Sequence, residues 1–351
     1  MASPAGPQAS RTIREFTLIA ELHRRYGKGT PSIIRGIGDD TAIVRLPPGA
    51  WSLLTTDLLA EGVHFDSRTA SFVDIGYRAA VANLSDIAAM GGMPRFLLIA
   101  LAVPREGTRA QVHQLYRGLM AACRPYRVRL IGGDTSASKS GWFLSLALVG
   151  TVVPQRALLR KGAKIGDFLY VTGTLGDSLA GLRLLNESTS RQHQSRETRP
   201  LSQSNRNFLV KRHLHPTARV REGQWLSAGR LATAAIDLSD GLSGDLRHIC
   251  EESRVGAEVD ISAIPQSPAC RAYAQDRRVD PVALALAGGE DYELLFTIAP
   301  RNQTRLEREA KQRGFRVTKI GTIRPARLGI RAQSPGGTSR LLPVTSYEHF
   351  R

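Results

Sequence analysis

Two runs of alternating strand-like and helix-like apolar patterns, separated by a long polar segment, constrain this chain more than any other feature. In the first run, "REFTLIAELHRRY" places Phe16, Ile19 and Leu22 at helical spacing. "TAIVRL" and "WSLLTTDLL" read as strands, with "LPPGA" as the turn between them. "FVDIGYRAAVANLSDIAAMGG" reads as a helix closed by Gly91 and Gly92, and the strand "FLLIALAV" follows. A helix over Arg109–Cys123, then "VRLIGGD" and the long strand "WFLSLALVGTVV", complete the run near Val153. The same alternation restarts at "GDFLYVTG" and continues to the C-terminus.

This pattern predicts an α/β (or α+β) protein of two domains, residues 15–153 and 154–351, behind a disordered N-terminal extension, residues 1–14. Between the two runs, "NESTSRQHQSRETRPLSQSNRN" (residues 186–207) has almost no apolar residues. It is expected to be a solvated basic loop inserted in the second domain.

With 42% hydrophobic and 23% charged residues, the chain has the composition of a soluble protein with a real core. Cys123, Cys250 and Cys270 are scattered and form no CxxC pair, which argues against zinc and disulfides and fits a reducing compartment. "MASPAGPQAS" lacks the apolar segment of a signal peptide, and "FLLIALAV" is far too short to cross a bilayer. A cytoplasmic protein with no membrane contact is expected. The formal net charge of +17 comes mostly from arginines spread along the whole chain, without a basic block interleaved with aromatics. That distribution predicts a general pull on anionic ligands and no dedicated nucleic-acid function.

Against this basic background, the acids gather in one kind of place. "GIGDDTA" holds Asp39 and Asp40, "LLTTDLL" Asp57, "NLSDIAAMGG" Asp86 and "LIGGDTS" Asp134. "IDLSDGL" holds Asp237 and Asp240, and "AGGEDYELLF" holds Glu290 and Asp291. Most lie at the edge of an apolar element beside Gly, Ser or Thr, where turn and cap chemistry explains any single one. Asp86 is different, because it falls inside a predicted helix, a poor place for aspartate. Six such sites across both halves predict a carboxylate-lined cleft.

Hard oxygen donors without His or Cys clustering favour magnesium or calcium over zinc, and no EF-hand loop is present. Magnesium takes few carboxylates and completes its shell with water and phosphate, so many acids imply several ions and a polyphosphate ligand. The usual nucleotide motifs are missing. Gly27-Lys28 has Leu22 where a Walker A loop needs glycine, "GIGDDT" has Thr41 at the third dinucleotide glycine, and no protein-kinase signature occurs.

In order, "EFTLIA", "GIGDDTA", "TTDLLAEGVHF", "NLSDIAAMGGMP", "LIGGDTS", "GDFLYVTGTLGDSLAGL", "AIDLSDGLSGDL", "GGEDYELLFT" and "YEHF" resemble the thiamine-monophosphate kinases, members of the aminoimidazole-ribonucleotide-synthetase-like (PurM-like) superfamily. The resemblance spans residues 15–350. It implies a two-domain fold in which the N-terminal strands of two subunits pair into a shared barrel, giving a homodimer with a C-terminal α/β domain on each subunit. It implies transfer of the γ-phosphoryl group of ATP to thiamine monophosphate, with several Mg2+ ions. By resemblance, Asp40, Thr55, Thr56, Asp57, Asp86, Asp134, Asp237 and Asp240 bind metal, with Asp57, Asp134 and Asp240 central to catalysis. Gly133, Asp134, Arg160 and Ser239 meet ATP, and His64, Glu290 and Tyr347 meet thiamine monophosphate. Whether each threonine acts through its hydroxyl or its carbonyl stays open.

Three other readings compete. Another ATP-using enzyme of the superfamily is one, although a selenophosphate synthetase carries a reactive Cys or selenocysteine near its N-terminus and the first cysteine here is Cys123. A non-catalytic magnesium- or nucleotide-binding regulator is the second. An arginine-rich RNA-binding protein, whose binding would depend steeply on salt, is the third.

Overall fold

The computed structural model describes residues 15–37, 42–189, 201–334, 336–343 and 345–347. Asp40, the 1–14 extension and residues 190–200 of the insertion lie outside them. The chain divides into two units. Residues up to Asn83 group with Pro94–Thr151, and Leu84–Met93 groups with everything from Val152 onward.

The first unit contains α1 (Glu15–Tyr26), β1 (Ile33–Arg35), β2 (Ile43–Val44), β3 (Trp51–Ala60), most of α2 (Phe72–Ala89), β4 (Met93–Pro104), α3 (Arg109–Cys123), β5 (Arg129–Ser138) and β6 (Phe143–Val152). A four-stranded sheet runs in the order β3-β6-β4-β5, with β4 and β5 parallel. Burial alternates along β6, where Leu144, Leu146 and Leu148 are at most 1% exposed, so one face of the sheet carries the core. Ser71 and Asp74 open α2 by exchanging side-chain and backbone hydrogen bonds, and Thr108 and Gln111 do the same for α3. The two helices cross at glycines. A Cβ on Gly76 would stand 2.0 Å from the Leu115 carbonyl oxygen, and one on Gly118 would stand 1.8 Å from that of Val73.

One strand outruns its apolar segment. β5 continues through Asp134 to Ser138, while β3 runs as expected with Asp57 in its interior. Both acids lie within strands, not at their ends. Pairing with the neighbouring strand carries the extended backbone onward, with Asp134 opposite Ala100 and Ser138 opposite Pro104.

The second unit adds β7 (Phe168–Thr172), α4 (Asp177–Thr189), α5 (Gln203–Leu214), α6 (Val220–Gly229), β8 (Ala232–Asp237), α7 (Leu242–Ser253), β9 (Val255–Asp260), α8 (Pro268–Arg277), α9 (Pro281–Ala287), β10 (Leu294–Ile298), α10 (Gln303–Arg313), β11 (Val317–Pro325), β12 (Ile330–Gln333) and β13 (Ser339–Leu341). Its seven-stranded sheet runs β13-β12-β9-β11-β7-β10-β8, antiparallel except where β12 meets β9. Leu169, Val171, Ile236, Leu295, Ile320 and Ile323 from the strands pack with Leu242, Leu246 and Ile249 of α7. A second cluster joins α4, α5 and α8 through Leu184, Leu209 and Tyr273.

The expected loop at 186–207 is helical at both described ends, since α4 reaches Thr189 and α5 begins at Gln203. Composition misled here because α4 and α5 are held by packing of Ala180, Leu184 and Leu209 outside the polar stretch. Among the described residues, no helix is long and apolar enough to cross a membrane. All three cysteines are buried free thiols.

Candidate active site

In the first unit, candidate residues sit on β3, the turn after it, and β5. Side chains alternate across a strand, so Thr55 and Asp57 share the more buried face of β3, while Thr56 faces the other way with exposed Leu54 and Leu58. The Thr56 hydroxyl donates to the Leu146 carbonyl at 2.8 Å. On β5, a Cβ at Gly133 would stand 2.0 Å from the Ile99 carbonyl oxygen, so only glycine lets β5 lie this close to β4. Asp134, the next residue, is exposed and accepts a hydrogen bond from the Thr135 N–H at 2.9 Å.

His64 is fixed by its own turn. Its Nδ1 accepts from the Ala60 N–H at 3.0 Å, and its carbonyl accepts from the Arg78 guanidinium. In the neutral ring the proton is then on Nε2, which makes that atom a donor. Glu61 locks the same turn, accepting the Trp142 N–H at 3.0 Å and the Ser67 hydroxyl.

In the second unit, the acids gather where β8 ends and α7 begins. Asp237, 4% exposed, accepts a 2.7 Å hydrogen bond from Ser85, whose neighbour Asp86 is half-buried on the last turns of α2. Past the strand end, the Asp240 and Gly241 N–H groups both donate to the Asp245 carboxylate, at 3.2 and 3.1 Å. Burial pushes the Asp245 carboxyl up to about 8, and the charges of Asp237 and Asp240 add to this. The opening of α7 thus crowds three acids, one of them held on backbone N–H groups.

Two further segments are tied to this loop. The Glu290 and Tyr292 N–H groups donate to the Ser239 and Leu238 carbonyls at 2.7 and 2.9 Å, which sets Glu290 beside Ser239. The Tyr347 N–H donates to the Asp240 carbonyl at 3.2 Å. Asp237, Ser239, Asp240, Glu290 and Tyr347 are therefore one neighbourhood, joined to Asp86 through Ser85. Arg160 is anchored elsewhere. Its carbonyl accepts from Ser253 at 3.1 Å, at the C-terminal end of α7, roughly 16 Å of helix from Asp240.

The AIR synthase related protein N-terminal domain matches residues 38–152, and the corresponding C-terminal domain matches residues 164–332. The chain is 39% identical to the thiamine-monophosphate kinase of Salmonella typhimurium over 342 residues, covering 96% of this chain and 98% of that protein. The chain belongs to the thiamine-monophosphate kinase family. Among solved structures, that of the Stenotrophomonas maltophilia thiamine-monophosphate kinase superposes with a TM-score of 0.79 at 35% identity, covering 90% of this chain and 95% of that one. AaThiL complexed with AMPPCP and TMP superposes with a TM-score of 0.73 at 33% identity, covering 97% and 100%.

Among the described residues of this family member, no three His, Cys, Asp or Glu side chains converge to hold a metal ion. The donor set nevertheless suits magnesium. It consists of carboxylates and threonine oxygens, and the charges of Asp237 and Asp240, which help raise the Asp245 carboxyl, make a negative potential that a divalent cation would lower. Asp245, Ser85 and Glu61 are functional candidates that sequence reasoning passed over. Asp245 lies inside the motif "DLSDGLSGDL", five residues after Asp240, and that spacing was the available signal. Ser85 and Glu61 had none, because their partners are distant in sequence.

Proposed function

We propose that this kinase transfers the γ-phosphoryl group of ATP directly to the phosphate of thiamine monophosphate, giving thiamine diphosphate and ADP. The observation that carries the reading is the acid loop opening α7, whose backbone holds Asp240 through Asp245 and touches both Glu290 and Tyr347. A metal-phosphate site and a substrate site would then share one scaffold. The acceptor oxygen is already anionic near neutral pH, so the chain needs no strong general base. Its task is to bring two anions together and hold them in line.

Magnesium, when bound, screens charge on the reacting phosphates and orients them. The residues we assign to hold it are Asp40, Thr55, Thr56, Asp57, Asp86, Asp134, Asp237 and Asp240. Thr56, whose side chain is turned away from Asp57, would contribute its backbone carbonyl. Gly133 and Asp134, Arg160 and Ser239 are assigned to ATP. His64 would donate from Nε2 to a phosphate oxygen, Glu290 would balance the thiazolium cation, and Tyr347 would stack on a ring.

We also assign a homodimer in which β3 of each subunit helps close a shared barrel. Supporting this, β3 is an edge strand whose outward Leu54 and Leu58 are 77% and 57% exposed, a costly surface for a monomer. Asp57→Asn tests the catalytic reading: product formation should fall by about a hundredfold or more across a magnesium titration. Near-normal turnover would remove Asp57 from the metal set.

A further inference from the structure

Consecutive residues on the last turn of α5 grip both ends of the 290–293 segment. Arg212 donates to Glu293 at 3.0 Å and lies 3.6 Å from Asp177. His213, only 2% exposed, places Nδ1 at 3.0 Å from the Ser178 hydroxyl and 3.6 Å from the Glu290 carboxylate. Ser178 in turn donates its N–H to Asp291 at 3.0 Å, and Gly176 donates to the same carboxylate at 2.6 Å. The segment between these grips is held in a demanding conformation, since Glu290 and Tyr292 have φ of 62° and 51°. Non-glycine residues stay in that region only where their surroundings hold them there.

Glu290 itself is 28% exposed, and its carboxylate lies toward the buried imidazole. A ring packed this deeply has few rotamers available. It can therefore narrow the torsions open to the carboxylate packed beside it.

We propose that His213 is a positioning residue for substrate binding. Its buried ring, braced by Ser178, sets the Glu290 carboxylate at the orientation in which it meets the cationic ring of thiamine monophosphate. This rests on the reading that Glu290 faces that substrate. Ordering the carboxylate in advance removes an entropy cost that binding would otherwise carry.

A double-mutant cycle tests it in the full-length protein. Calorimetry measures the affinity for thiamine monophosphate of the parent, Glu290→Gln, His213→Phe and the double variant, and steady-state kinetics gives the KM for ATP. His213→Phe should weaken thiamine monophosphate about five- to tenfold while the KM for ATP is unchanged, and the double variant should bind no worse than Glu290→Gln alone. His213→Asn, which keeps a polar amide at the Nδ1 position, should recover most of the affinity, and it maintains the test if the Phe variant fails to fold. Additive losses in the cycle, or equal losses for ATP and thiamine monophosphate, would overturn the positioning role. Unchanged affinity in Glu290→Gln would instead overturn the placement of Glu290 on which the role rests.

Discussion

At the residue scale, chemistry in this chain is decided by which way neighbouring side chains point. Thr55, Thr56 and Asp57 are adjacent in sequence, yet strand alternation sends Thr56 to the opposite face and ties its hydroxyl to Leu146. Thr56→Val should therefore reduce turnover less than tenfold, against the hundredfold expected for Asp57→Asn, when both are measured as initial rates at saturating ATP. A Thr56→Val loss as deep as that of Asp57→Asn would mean that the hydroxyl itself reaches the metal. The recurrence of carboxylates beside Gly, Ser and Thr was legible in the sequence, and the structure brings Asp237 and Asp240 of that set together at the opening of α7. The acids' individual roles were not legible, because orientation depends on strand limits that the apolar pattern underestimates. The ladder with β4 extends β5 past Asp134, and no feature of "GGDTS" alone announces that.

At the element scale, buried charge pairs hold the second unit's loops against its sheet. Glu293 is fully buried and accepts from Arg212, from both Nε and Nη2 of Arg219, and from Thr172. Burial alone would raise its carboxyl, but the charges and hydrogen bonds of the two arginines hold it below its ordinary value. The stability it contributes is therefore present above pH about 4.5 and lost as pH falls through its folded value. Glu293→Gln should cost about 3–5 kcal/mol in urea unfolding at neutral pH, because it leaves two arginines facing a neutral amide.

Asp291 works in the opposite sense. Burial lifts its carboxyl from 3.8 to about 7, so the folded state holds its proton more tightly than the unfolded chain does. Its contribution is complete below about 3.8 and declines as pH rises toward 7, with a slope of up to ~1.4 kcal/mol per pH unit. Asp291→Asn should flatten that decline, and an unchanged pH profile would show that the group stays ionised. In the first unit, Gly118→Ala should destabilise by about 1–3 kcal/mol, since the added carbon meets the Val73 backbone and α2 must move from α3. None of these pairings could be read beforehand. Arg212, Arg219 and Glu293 are ordinary charges in separate stretches of sequence and become partners only once the sheet order is set. In the first unit, in contrast, the helices and most strands were legible from their apolar periodicity.

At the scale of the whole molecule, family domains match residues 38–152 and 164–332, one in each run of alternating pattern. If the proposed dimer forms through β3, Leu54→Glu together with Leu58→Glu will shift it to monomer in sedimentation, because charge on the exposed face of β3 prevents its burial. A dimer that survives both substitutions would place the interface elsewhere. The reaction itself is tested by incubating purified protein with ATP, magnesium and thiamine monophosphate, and quantifying thiamine diphosphate and ADP by chromatography. The two products should form in equal amounts, and neither should form when magnesium is omitted or Asp57 is replaced by Asn. ADP without thiamine diphosphate, or neither product from folded protein, would rule out direct transfer to thiamine monophosphate.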